Sequence, residues 1–88
     1  MSKKDKLYAR IRNNQKNIRF HDFCVLMVYF GFSLIRIQGS HHLYQHPKVD
    51  DVMNVQPTQD NLAKAYQVRQ FLNLIESHNL KLDEGEDD

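Results

Sequence analysis

Gly39 restricts the fold of this chain more than any other residue. It stands in Gln38-Gly39-Ser40, between two β-favouring runs, Phe32–Ile37 and His41–His46. Only glycine takes a positive φ without steric cost, so a glycine between two such runs predicts a tight β-hairpin. Pro47 closes the second run, because proline offers no N–H to a sheet ladder. Lys48-Val49-Asp50-Asp51 then reads as a turn and Val52–Gln56 as a third short strand.

Side chains alternate along a strand, so the hairpin also predicts faces. Ile35, Ile37 and Leu43 are expected to face the core. Arg36, His42, Tyr44 and His46 are then displayed together on the open face of the sheet, joined by Asn54 and Gln56 of the third strand, whose Met53 and Val55 point inward. Such a face carries a cation, an aromatic ring and two imidazoles. Imidazole, with an unperturbed pKa of about 6.5, can both take and give a proton near neutrality.

Helices are expected on either side of these strands. Phe20, Phe23, Cys24 and Met27 follow the i, i+3, i+4, i+7 spacing, with Leu26 and Phe30 widening the stripe, and Gly31 stands where a helix-ending glycine would. Val25, Val28 and Tyr29 leave this helix little polar surface, so the N-terminal segment or a partner is expected to cover it. A last helix over Lys64 to Ser77 has Val68, Phe71, Leu72 and Ile75 inward and Arg69, Gln70, Asn73 and Glu76 outward, ending at His78-Asn79. Leu7–Asn14 reads as a short extra helix after a frayed basic start, Met1–Lys6. The fold class is therefore α+β, with helices on one face of a three-stranded antiparallel sheet.

The 88 residues make one domain, and their net charge of +1 conceals an asymmetry. Five of the eleven acids (Asp83, Glu84, Glu86, Asp87 and Asp88) lie in the last six residues. The rest of the chain is basic, which favours an anionic partner such as nucleic acid. Cys24 is the single cysteine, so no internal disulfide is possible and a cytoplasmic compartment is expected. The longest apolar run, Phe23 to Ile35, falls short of the ~20 residues a membrane span needs. His41 and His42 diverge on a strand and His42 and His46 are about 13 Å apart, so no metal site is expected.

The pattern Gly31-Phe32, Arg36-Ile37, Gly39-Ser40-His41-His42, His46-Pro47, Asn54-Val55-Gln56 and Lys64 to Gln70 resembles the HicA toxins of bacterial type II toxin–antitoxin pairs. The resemblance covers roughly Arg19 to Leu80. It divides the chain into a basic N-terminal extension (1–18), a HicA-like domain (19–80) and an acidic disordered tail (81–88). It implies a double-stranded-RNA-binding-domain-like fold, helix–three strands–helix, and a small ribonuclease that cuts messenger RNA without a metal or other cofactor. It also implies a HicB-type antitoxin that covers the open sheet face. The family's catalytic histidine corresponds to His42. Asn61 and Ala65 stand near positions where longer relatives often carry glycine and proline.

RNA carries its own nucleophile, the 2′-hydroxyl, so a positioned histidine and nearby cations suffice to cleave it. On this reading His42 does the acid/base work, Arg36, Lys48 and Lys64 hold phosphates, and Tyr44 stacks an unpaired base. Ser40 either binds a phosphate or completes the turn. His46 either contacts RNA or packs at the strand end, and His41 fixes the hairpin by hydrogen bonding. Lys64 to Gln67 is either an RNA-gripping helix entry or a helix start with Tyr66 packed beneath the sheet edge. The alternative function is a non-catalytic RNA-binding or protein-binding module of the same fold.

Overall fold

The computed structural model describes residues 2–82; the acidic run Asp83–Asp88 lies outside the described residues. Six elements follow in order: α1 (Lys3–Asn13), α2 (Phe20–Tyr29), β1 (Ser33–Gln38), β2 (His41–His46), β3 (Val49–Val55) and α3 (Ala65–Ser77). The strands form one antiparallel sheet in the order β1-β2-β3. The class is α+β, as the periodicities predict, and none of the described helices is long and apolar enough to cross a membrane.

Helix α1 begins earlier than expected. Ser2 caps it: the Ser2 hydroxyl oxygen accepts from the Asp5 N–H at 3.1 Å and its O–H donates to the Asp5 carboxylate at 2.9 Å. A serine cap satisfies one of the N–H groups a helix start leaves orphaned. The helix is then held by packing, with Ile11 fully buried and the Tyr8 ring edge-on to Phe30 at 5.0 Å. Lys4 lies over the Tyr29 ring and Arg10 pairs with Asp22, so α1 runs antiparallel to α2. The N-terminal segment is thus the cover for one side of α2.

Both main helices end in the same motif. At α2 the Gly31 N–H bonds the Val28 carbonyl and the Phe32 N–H the Met27 carbonyl, with Gly31 at φ 95°. At α3 Asn79 (φ 52°) bonds Glu76 and Leu80 bonds Ile75. These are paired 5→2 and 6→1 closures around a left-handed residue, which satisfy the last helical carbonyls. Gly31 has a second reason to be glycine: a Cβ there would stand 3.0 Å from His46 Nε2.

The hairpin turns as predicted, with positive φ at Gly39 (59°) but not at Ser40, the type II′ pattern. The faces follow the prediction at Arg36, Ile37, Met53, Asn54 and Val55, but Ile35, His42, Leu43, Tyr44 and His46 are on the side opposite to the one expected. The β1–β2 register slips by one between Leu34 and Arg36: Leu34 pairs with Tyr44, Arg36 with Leu43 and Ile37 with His42. Ile35 is the extra residue of a bulge, and beyond it the alternation restarts on the other foot. Across the two-residue turn Arg36 stands opposite Leu43 and Ile37 opposite His42. His42, Tyr44 (4% exposed) and His46 (9%) face the helices, while Ile35 (51%) and Leu43 line a cleft on the open face with Arg36, Val52 and Asn54. Ile37 is on the helix side but 54% exposed, because it sits on the edge strand. A second slip, between Tyr44 and His46, takes Asp50 and Asp51 into β3, so the turn shrinks to Pro47-Lys48.

Beneath the sheet the core centres on Phe71 of α3. Its ring lies 5.7 Å from Phe23, 5.7 Å from Phe30 and 5.6 Å from Phe32. Aromatic pairs of this kind add about 0.5–1.5 kcal/mol each beyond area burial. The connector before α3 is zipped to the one before α2: Ala63 N–H bonds Ile18 O at 2.7 Å and Phe20 N–H bonds Asn61 O at 3.1 Å. The starts of α2 and α3 are thereby tied together at one end of the molecule.

Candidate active site at the hairpin turn

That end is also where the β1–β2 hairpin turns. His42 pairs with fully buried Val55 and so points to the helix side, where its ring meets the edge of Phe20, the first residue of α2 (4.9 Å, 69°). Strand alternation predicts the open face for His42 together with Arg36. The two-residue Gly39-Ser40 turn instead pairs Arg36 with Leu43 and Ile37 with His42, so Arg36 keeps the open face and His42 takes the other side. The ring is nevertheless half-buried and not sealed. His42 Nδ1 lies 3.0 Å from the Ser40 carbonyl oxygen. A carbonyl can only accept, so Nδ1 carries the proton, and Nε2 of the neutral ring keeps its lone pair.

A hydrogen-bonded chain crosses from the hairpin to α3. The Ser40 hydroxyl bonds the Gln56 side-chain oxygen at 3.3 Å, and the Gln56 N–H bonds the Gln67 oxygen at 3.2 Å. The Gln67 amide then donates to Tyr66 Oη at 3.3 Å. His41 lies on the open face and pairs through Nδ1 with Asn54 Oδ1 at 3.1 Å, a contact to β3 and not within the β1–β2 hairpin it was expected to fix. Tyr66 is exposed, with its hydroxyl held and its ring facing outward, rather than packed beneath the sheet edge.

Among the residues assigned from sequence, His42, Ser40 and Lys64 gather at this end; Lys64 occupies the N-cap position of α3 and makes no capping bond with its side chain. The others do not join them. Arg36 lies on the opposite face of the sheet. Lys48 sits at the β2–β3 turn, the far end of β2. Tyr44 lies under α2 with no face free for a base. Burial raises the pKa of its hydroxyl, and hydrogen bonding to Cys24 adds to the rise. Burial likewise raises the Cys24 thiol, with the Tyr44 hydrogen bond partly opposing it. His46 packs at the strand end: its Nδ1 accepts from the Lys48 N–H at 3.0 Å and its ring lies 5.0 Å from Phe32.

Three residues of this cluster have roles that the sequence does not assign; Gln67 is expected there only as part of the Lys64 to Gln67 helix entry. Gln67 is buried and bridges α3 to β3; its signal was there, since it stands one helical turn before Phe71. Phe20 was read as core alone. Arg19, next to it at the start of α2, is exposed and carries no helical periodicity to draw attention. Comparison with protein-family models, curated proteins and solved structures finds no match for this chain.

Proposed function

We propose that this chain is a HicA-type toxin, an endoribonuclease that cuts messenger RNA without a metal, on a double-stranded-RNA-binding-domain-like scaffold. The observation that carries the reading is the His42 ring, whose Nδ1–H is committed to the Ser40 carbonyl while Nε2 is left as a base at a half-open site. Nε2 takes the proton of the 2′-hydroxyl, the oxygen attacks the adjacent phosphorus, and the 5′-oxygen leaves with a proton returned by the imidazolium. The products are a 2′,3′-cyclic phosphate and a 5′-hydroxyl end. Phe20 holds the ring from one edge, and Ser40 and Lys64 stand at the same end to meet phosphate oxygens.

The test is incubation of the purified chain with single-stranded RNA in EDTA. The parent cuts, and His42→Ala loses about 10²–10⁴-fold in rate while its circular dichroism is unchanged. Equal cutting by the variant would remove His42 from the mechanism.

A second reading, a binding module that grips a protein without cleaving RNA, is favoured by the open face. There Ile35 and Val52 are exposed around Leu43, with Arg36 and Asn54 at the rim. Apolar side chains in a cleft with a polar rim suit a protein partner. An antitoxin of the HicB type, seated on this face, would silence a toxin only if it also reached round the hairpin to His42. Binding of a protein partner that Ile35→Lys or Val52→Lys weakens, with no cutting of RNA by the parent, supports this reading over the first.

A further inference from the structure

The cations of this chain are not where the sheet would use them. Seven of the twelve Lys and Arg residues (Lys3, Lys4, Lys6, Arg10, Arg12, Lys16 and Arg19) precede Phe20, and the only acid among them is Asp5. Helical spacing puts Lys3, Lys6 and Arg10 on one side of α1, away from Ile11, which is buried against the core. Because α1 runs antiparallel to α2, this stripe travels alongside α2 from its Tyr29 end to its Asp22 end. There it meets Arg19. Asp22, at that corner, is taken by Arg10 at 2.9 Å and stands 3.8 Å from Arg19, whose side chain is 80% exposed. The residue after Arg19 is Phe20, the ring on which His42 rests.

We propose that Lys3, Lys6 and Arg19 form a phosphate track that holds the single-stranded RNA flanking the scissile bond and delivers it to His42. The inference rests on the ribonuclease reading above and names the substrate path for that site. The N-terminal helix is then a part of the substrate-binding surface as well as a cover for α2. Lysines and arginines spaced along one side of a helix contact successive phosphates without reading sequence. Their grip is therefore independent of base identity and sensitive to salt.

The experiment measures binding of a fluorescent 12-nucleotide RNA to the full chain carrying His42→Ala, which prevents cutting, from 50 to 300 mM NaCl. In that background the triple change Lys3→Gln, Lys6→Gln and Arg19→Gln is compared with Arg69→Gln, an exposed arginine on α3. Each phosphate contact contributes about 0.7 to the slope of log K against log salt for a single strand, so the triple variant should lose about 2 in slope. Arg69→Gln should leave the slope within error of its parent. A triple variant with the parental slope, or a loss per charge equal to that of Arg69→Gln, overturns the track while leaving His42 in place. If the His42→Ala chain binds no RNA and the His42 chain cuts none, the track and the ribonuclease reading fall together.

Discussion

Gly31 joins α2 to the sheet, and its replacement by alanine gives the sharpest test of how these layers are set. Two costs arise. At φ 95° an L-residue is in a region it rarely adopts, a penalty of about 1–2 kcal/mol. The new Cβ would also stand 3.0 Å from His46 Nε2 and 3.3 Å from Cδ2. That ring cannot simply swing away. It is buried, tilted at 59° against the Phe32 ring with centroids 5.0 Å apart, and its Nδ1 accepts from the Lys48 N–H. Forcing such a contact costs about 1–3 kcal/mol. The sum, about 2–5 kcal/mol, is a large share of the 5–15 kcal/mol typical of a domain. Urea unfolding followed by circular dichroism would read it as a midpoint lowered by about 2 M or more, with a slope near 1 kcal/mol/M. A cycle with His46→Ala separates the terms: removing the ring should relieve the steric part and leave the backbone part. Strict additivity of the two changes, or a Gly31→Ala variant within 0.5 kcal/mol of the parent, would refute the close approach as a constraint.

Ser2→Ala should cost about 1 kcal/mol by removing the cap of α1, read as a lower urea midpoint and reduced helical signal. Cys24 and Tyr44 both titrate above their ordinary values of 9.0 and 10.0 in the folded chain. Folding therefore favours their protonated forms, a contribution fully present below pH 9 and lost as the pH rises through the folded values. The Cys24→Ala, Tyr44→Phe chain should show a flatter decline of urea midpoint between pH 8 and 11, and an unchanged decline would dismiss the pair as its source. For the same reason the Cys24 thiol should react with iodoacetamide at pH 8 more slowly than a free thiol. Ile35→Lys and Val52→Lys, both on the open face, should change stability by less than about 0.5 kcal/mol while weakening any protein complex formed there. A loss of several kcal/mol would mean that these side chains are packed in solution.

Most of the fold was written locally. The spacing of Phe20, Phe23 and Met27, the glycines at 31 and 39, and the stripe ending at Ile75 each carry their own geometry, because a helical or strand period is a property of neighbours in the chain. The start of α3 and the end of α2 were placed to within a residue for the same reason. The N-terminal helix was harder to read: its first turn depends on the Ser2 cap and on burial against α2, and no periodicity announces either.

What the amino-acid order determined alone, then, is the succession of elements, the turn at Gly39 and the histidines beside it. Only the assembled sheet decided which way those histidines look. The two-residue turn at Gly39-Ser40 puts Ile37 and His42 on one face, but which face the helices cover is set by packing. The extra residue at position 35 then reverses the alternation of β1 before it, and a bulge leaves no trace in a pattern of Leu, Ile, Arg and Ile. It is the packing of Tyr44 beneath α2 and of His46 against Gly31 that selects this register, and both depend on partners distant in the chain.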